Sequence, residues 1–358
     1  MTETPSTITA DVACHAPGIY FGLSESSYHA DKSLGSTAIK AISVDPYEWQ
    51  FDRLYGEDKD TDALIFGSAV HARMLEGRAS LEAKFCQDMP PGLIPDGALN
   101  TTNDIKRFLS EHGVKGLSTK LKPDLIRAAL EIDPNVPIVQ VIKEKWDEAN
   151  VGKVVLKAKR WAQVETAAKW AQRDPLLCKV MKDGAFVEGV PEVSIFYEDR
   201  SIRLKARFDC LLRHAIIDIK TFATMFDGQI EKTFLKTIDR MHYDIQCAVY
   251  LRAWHRAKEL FAAGKVFGQE PIPGFLTECF NREEPSWIWI MIKSKGAPQP
   301  LVVDWRAKFA KSRAAEHVED AINTYIELRD KFGVDEEWVP MRPAITVDDS
   351  SLPTYFGI

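Results

Sequence analysis

The stretch EVSIFYEDRSIRLKARFDCLLRHAIIDIKT, Glu192 to Thr221, sets acids into apolar strands, where acids are rare. Asp209 interrupts one strand-like run and Asp218 another, with Lys220 two residues further on. Strand side chains alternate faces, so Asp218 and Lys220 share one face while Ile217 and Ile219 share the other. Ionised carboxylates among apolar neighbours are costly unless paired, and a divalent cation is the partner that best suits two acids brought together. A protonated Lys220 cannot ligate a metal, so it faces an anion or a water.

The rest of the chain bounds this reading. At 358 residues it exceeds the usual single-domain size, which predicts one large domain with an insertion, or two domains. Its six cysteines, Cys14, Cys86, Cys178, Cys210, Cys247 and Cys279, are scattered and form no CxxC pair, which predicts a reduced cytoplasmic setting. No apolar run approaches membrane-spanning length, so no membrane association is expected, and residues 1–17 read as a flexible tail. The net charge of −6 argues against a protein coated with nucleic acid but says little about a local site.

Element patterning gives an α+β order. A helix capped by Ser36 and a second starting near Pro46 precede a mostly buried helix over 62–76, with Leu64, Ala72 and Leu75 among its apolar positions. The Pro/Gly-rich stretch 89–100 reads as a linker. A two-helix unit, a long basic helix to about Lys182 and three strands across 192–220 follow. Residues 239–263 read as one long helix, GFLTECF and SWIWIMIK as two strands, and about 305–332 as a closing helix before an irregular tail. Trp287 and Trp289 alternate with Ile288 and Ile290, which predicts a sheet packed on both faces. Trp161 and Trp170 are out of phase on one helix, which places at least one of them in the core.

Two further clusters could converge on the acidic strands. Gly67 and His71 lie one helical turn apart and share a face, as do Gln246 and Tyr250. Each pair, taken alone, is more often ordinary packing. In chain order, GSAVH (Gly67 to His71), Glu192, ARFD ending at Asp209, IIDIKT with Asp218 and Lys220, and QCAVY (Gln246 to Tyr250) resemble the PD-(D/E)xK nucleases of the RecB-like branch. The wording SESSYHADKSLGSTAIKAISVDPYEWQF and the strand EVSIFYED are most similar to the exonuclease VIII (RecE) carboxy-terminal nuclease group of phages and prophages.

That resemblance implies a restriction-endonuclease-like core, a central mixed sheet flanked by helices, with a small helical insertion. It divides the chain into a tail (1–17), an N-terminal helical part (18–95), an insertion (96–132), a catalytic core (133–340) and a C-terminal tail (341–358). It implies that Asp209, Asp218, the Ile219 backbone carbonyl and His71 hold Mg²⁺, with Mn²⁺ tolerated, and that Glu192 binds a second ion or orients a water. Lys220 would polarise the attacking water, and Gln246 and Tyr250 would brace Lys220 and the phosphate. The implied activity is 5′-to-3′ exonuclease action on the ends of linear double-stranded DNA, in a homo-oligomeric ring that works with a single-strand annealing protein.

Two basic features extend this expectation. Residues 143–182 hold ten Lys or Arg against five acids, a solvated helix face or a phosphate-facing one, with Lys153, Lys157, Lys159 and Arg160 as candidate contacts. The insertion, with Ile105, Phe108 and Leu109 on one helix and Leu125 and Ile126 on the next, is similar to SAP-type helix-extended-helix modules. Lys115, Lys120 and Lys122 are its candidate phosphate contacts, against the alternative of a hairpin that merely packs on the nuclease. The rival readings are a Cas4-like or helicase-associated nuclease, whose usual four-cysteine iron–sulfur cluster has no counterpart here, and a DNA-binding or scaffold protein that kept the fold without catalysis.

Overall fold

The computed structural model describes residues 14–57, 61–223 and 229–347. The chain opens with strand β1 (Gly18–Tyr20) and helices α1 (Glu25–Ala30), α2 (Ser36–Val44) and α3 (Pro46–Tyr55). Helix α4 (Asp62–His71) runs into a π-helical turn (Ala72–Glu76), followed by α5 (Arg78–Lys84) and β2 (Phe85–Gln87). Next come α6 (Thr102–Glu111), α7 (Lys122–Ile132), α8 (Val139–Ala149), β3 (Val154–Leu156) and α9 (Ala158–Ala171). A short hairpin, β4 (Met181–Lys182) and β5 (Ala185–Phe186), leads into the long strands β6 (Gly189–Asp199), β7 (Ile202–Leu212) and β8 (Ala215–Phe222). Helices α10 (Ile230–Arg240) and α11 (Tyr243–Ala262), strand β9 (Val266–Phe267), α12 (Phe275–Phe280), β10 (Ser286–Lys293), β11 (Pro300–Asp304) and α13 (Lys308–Phe332) complete the order.

The main sheet has the strand order β11-β10-β8-β7-β6-β1-β9. Strand β8 pairs with β7 antiparallel and with β10 parallel, so the sheet is mixed and β8 lies deep inside it. Two apolar layers cover it. On one face, Ile39 and Ile42 of α2, Trp254 of α11 and Ile322 of α13 pack against Phe208, Ile216, Trp287 and Trp289. On the other, Phe66 and Val70 of α4 and Val164 and Ala168 of α9 pack against Ile217, Ile219, Ile288 and Ile290. The two-sided packing expected of SWIWIMIK is therefore present, and the fold is the expected α+β arrangement of a central mixed sheet flanked by helices. Ile105, Leu109, Leu125, Ile126, Ala129 and Ile138 form a third apolar cluster, to which Leu99 and Val141 add. The helical unit thus closes its own small core across about 99–141, beyond the expected end at 132.

Several local expectations change. Helix α2 starts at Ser36 as its first residue, with Gly35 as a cap that makes no side-chain bond. Helix α3 has the better start, since Asp45 accepts from the N–H groups of Tyr47 and Glu48 ahead of Pro46. Leu64 is exposed, in contrast to its expected burial. The long basic helix is divided into α8, β3, α9 and the β4–β5 hairpin. Gly152 turns the chain at φ 78°, and Asp183-Gly184, both at positive φ, supply the two-residue hairpin turn that an Asp-Gly pair signals. Residues 239–263 split at His242, whose φ of 50° breaks helical continuity between α10 and α11. GFLTECF is helix α12, because Phe275, Leu276 and Cys279 are buried at helical spacing and short apolar runs do not distinguish the two states. Neither Trp161 nor Trp170 is fully buried; α9 buries Val164, Ala167, Ala168 and Ala171 instead.

At the N-terminus, residues 1–13 lie outside the described residues, but His15 is anchored. Its backbone N–H and its ring Nδ1 both meet the Asp31 carboxylate, and the ring stacks on Phe196. The C-terminal stretch 348–358 likewise lies outside them, while Trp338 packs into the larger core.

Candidate active site

The acidic strands converge where the sheet forks. Strands β7 and β8 pair at Cys210 with Ile217 and at Leu211 with Ile216, and the ladder between these two strands does not extend to Asp209 and Asp218. Instead, Asp209 Oδ2 accepts from the Ile219 N–H at 2.7 Å. The facing pattern shifts at the same point: Leu204, Ala206 and Phe208 belong to one apolar layer, then Cys210 to the other. Strand β6 shifts beside it at Glu192, which sits at φ 58° between the pairs Pro191–Cys210 and Val193–Phe208. A non-glycine residue in that region costs on the order of 1–3 kcal/mol and marks a backbone held by its surroundings.

His71 reaches this fork from α4. Its Nε2 lies 2.9 Å from the Ile219 carbonyl oxygen and 3.7 Å from Asp209 Oδ2. Gly67, one turn earlier, permits the approach, because a Cβ there would stand 3.3 Å from Thr221 Oγ1. On the opposite face of β8, Lys220 Nζ donates to Asp218 Oδ1 at 2.7 Å, and Gln246 Nε2 donates to the same oxygen at 3.2 Å. Asp218 Oδ2 is buried with no hydrogen-bond partner. Burial pushes the Asp218 carboxyl up to about 6; Lys220 opposes this and Asp209 adds to it. Burial also works against the Lys220 ammonium, but Asp218 and Asp209 outweigh it, so the lysine stays protonated.

The remaining expected residues are distributed less simply. The Glu192 carboxylate is ion-paired with Arg207, and its pKa is raised, chiefly by burial, with Arg207 opposing. Tyr250 is buried in the core against Phe208 and Trp287, so it braces Gln246 and not a phosphate. Among the described residues no three His, Cys, Asp or Glu side chains stand close enough together to hold a metal ion. The donors nearest to such a site are Asp209 and His71, which meet the two sides of the Ile219 peptide, the Ile219 carbonyl itself, and Asp218 one residue earlier on β8, although they are not drawn together as ligands. Their chemistry, mostly hard oxygen with one imidazole, fits a divalent cation such as Mg²⁺ or Mn²⁺.

A cleft of about 920 Å³ opens beside the fork. The Gly22–Ser26 loop, Leu64, Gly67, His71, Glu192, Arg207 and Thr221 are among its lining residues. The basic stripe Arg203, Lys205 and Arg207 on β7 does not neutralise Asp209 or Asp218. Arg203 reaches the His15 carbonyl, Lys205 donates to the Tyr28 and Asp31 carbonyls at 2.8 and 2.6 Å, and Arg207 donates to the Leu23 carbonyl at 2.6 Å. The stripe clamps the N-terminal segment that forms one cleft wall. Sequence reasoning missed this role, although the alternation of three basic residues was visible. It also missed Tyr243 and Lys40, which flank Lys220.

None of the candidate phosphate contacts lines the cleft. Lys115 and Lys120 are exposed on the helical unit, and Lys122 reaches the Asn100 carbonyl at 3.4 Å. Lys157 and Lys159 are exposed at the start of α9 and Lys153 is half-buried. Arg160 is already engaged by Asp62 and, at 2.6 Å, by the Ser294 carbonyl, and it covers Phe66; that removes it from the candidate contacts.

The family described as a PDDEXK-like domain of unknown function matches residues 48–260, a span that includes His71, Glu192, Asp209, Asp218, Lys220, Gln246 and Tyr250. No curated protein matches the chain. Among solved structures, one from Eubacterium rectale described as a "Putative exonuclease" is 15% identical, with a TM-score of 0.47, and the alignment covers 94% of this chain and 100% of that one. Another, described as SSO0001, is 12% identical with a TM-score of 0.23, covering 61% of this chain and 83% of the other.

Proposed function

Since the chain belongs to the PDDEXK-like family, we propose that it is a divalent-metal-dependent nuclease, specifically an exodeoxyribonuclease that hydrolyses phosphodiester bonds at the ends of linear double-stranded DNA. The observation that carries this reading is the placement of Asp209, the unpartnered Asp218 Oδ2, the Ile219 carbonyl, His71 and the charged Lys220 around one break in the sheet. Asp209, Asp218, Ile219 and His71 would hold the cation, for which Mg²⁺ is the proposed natural choice. When bound, such an ion supplies positive charge against the phosphate oxygens.

The chain's own residues then divide the work. Lys220, hydrogen-bonded to Asp218 beside the fork, would serve as a hydrogen-bond donor to the attacking water and to charge developing on the phosphoryl oxygens. Gln246 fixes the Asp218 carboxylate through the oxygen that Lys220 also uses, leaving Oδ2 without a hydrogen-bond partner. His71 ligates through Nε2 only as the neutral ring with its proton on Nδ1, a tautomer that gives up the present contact to Ile219. Glu192, held by Arg207 at the cleft wall, would orient a water there.

Resemblance to the exonuclease VIII group supports the finer proposals: 5′-to-3′ polarity, assembly of several subunits in a ring around DNA, and a single-strand annealing protein as partner. An acidic exterior around a basic channel would reconcile the net charge of −6 with such a ring. Among the described residues no helix is long and apolar enough to cross a membrane. The test is incubation with end-labelled linear duplex and with closed circular duplex, with and without Mg²⁺. Mg²⁺-dependent nucleotide release from linear DNA alone is expected. Release from circular DNA would defeat the exonuclease assignment, and no release from either would defeat the nuclease reading.

A further inference from the structure

Lys40 on α2 is half-buried beside the site, and no motif that identified the site includes it. Its Nζ lies 5.6 Å from the centroid of the Tyr243 ring, and Lys220 Nζ lies 5.4 Å from the same centroid. Two ammonium groups therefore share one aromatic ring. Lys220 has the Asp218 carboxylate as its counterion. The Lys40 ammonium has neither an ion pair nor a hydrogen bond among the described residues; the Tyr243 ring is its contact.

An ammonium carries three donors, and a ring face satisfies none of them as a hydrogen bond would. Burial and the neighbouring Lys220 charge both weigh against the protonated form, with Asp218 a smaller counterweight. Like charges held together in partly dry surroundings are costly unless an anion joins them. The nuclease reading supplies one, because a DNA strand carries a phosphate at every nucleotide step of about 3.4 Å along its axis. With Lys220 directed to the scissile phosphate, a neighbouring backbone phosphate is the anion that would be offered to Lys40 on the same Tyr243 ring.

We propose that Lys40 binds the backbone phosphate adjacent to the scissile one, with Tyr243 as the spacer that sets its distance from Lys220. This assignment rests on the nuclease reading, and Lys40 is in it a substrate-contacting residue that fixes the register of the strand.

The test compares wild type with Lys40→Ala, Lys40→Met and Lys40→Arg in the full chain. Binding of a short fluorescent duplex is followed by anisotropy in Ca²⁺ across a salt series, and cleavage is followed separately in Mg²⁺ on DNA and on thymidine 5′-(4-nitrophenyl phosphate), an ester with one phosphate. The expected result is DNA binding about 10-fold weaker, with the salt slope reduced by about one, as for the loss of a single phosphate contact. Lys40→Arg should recover most of the binding, and hydrolysis of the mononucleotide ester should be unchanged. Equal loss on DNA and on the ester would overturn the assignment by moving Lys40 to the scissile phosphate. Unchanged binding and salt slope in a folded Lys40→Ala or Lys40→Met would overturn it outright; Met keeps the apolar stem should Ala not fold. The binding arm needs no catalysis, so a wild type that binds DNA but never cleaves it would refute the nuclease reading while still deciding the role of Lys40.

Discussion

Strands β8 and β10 run parallel side by side, eight residues each, and spend the same positions differently. In register, Asp218 stands beside Trp289 and Lys220 beside Met291. Both strands present isoleucines to the α4–α9 layer: Ile217 and Ile219 from one, Ile288, Ile290 and Ile292 from the other. On the opposite face β10 buries Trp287, Trp289 and Met291, while β8 gives Ile216 and then the acid–lysine pair. The difference separates stability from function: β10 builds the core that holds the sheet, and β8 accepts a buried carboxylate with a raised pKa because the site needs an acid there.

The largest expected break in this comparison is at Asp218. Asp218→Asn should abolish DNA hydrolysis while changing the melting of the metal-free protein only modestly at pH 8, because relief of the buried carboxylate offsets the counterion lost to Lys220. A large loss of stability would mean that Asp218 is a structural residue like its neighbour. Lys220→Ala should lower the hydrolysis rate by about 10²–10⁴-fold, the usual range for a positioned donor or acid–base group, with near-native melting. Trp289→Ala should behave oppositely. Truncating a fully buried tryptophan costs about 3–5 kcal/mol, and specific activity should fall only with the unfolded fraction.

Much of this was legible in the sequence, and the reasons for what was not are physical. Asp218, Ile219 and Lys220 could be read because strand periodicity fixes their facing without tertiary information. His71 could be placed only by resemblance, since nothing local says that α4 approaches β8 at Thr221. The kink at Glu192 and Asp209 was invisible, because it arises where two strands change facing together and no glycine marks it. The role of Arg207 could not be read locally: its partners, the Leu23 carbonyl and the Glu192 carboxylate, depend on how the N-terminal loop folds back. The Asp183-Gly184 turn, by contrast, was a local signal, overlooked within a charge run that suggested one helix.

Smaller effects sharpen the same contrast. The folded-state pKa of Asp218 is raised above its unfolded value, so the folded protein holds a proton that the unfolded chain releases. The metal-free wild type therefore loses stability relative to Asp218→Asn as pH rises through about 6, and the gap is constant above that. Melting curves of both proteins in chelator from pH 5 to 8 would show it; a gap independent of pH would contradict the assigned burial cost. The smallest change is expected from Gly67→Ala. The helix gains about 1 kcal/mol of propensity, but the new methyl presses on Thr221 Oγ1, so stability should stay within about 1 kcal/mol while activity falls modestly through the displaced His71.

The most direct test of the central claim is to measure Mn²⁺ binding by electron paramagnetic resonance and cleavage of linear duplex DNA on the same preparations of wild type and Lys220→Ala. The account predicts that both bind Mn²⁺ with similar affinity and that only the wild type cleaves, because Lys220 serves the water and the phosphate and not the ion. Full cleavage by Lys220→Ala, or absence of Mn²⁺ binding in the folded wild type, would contradict it.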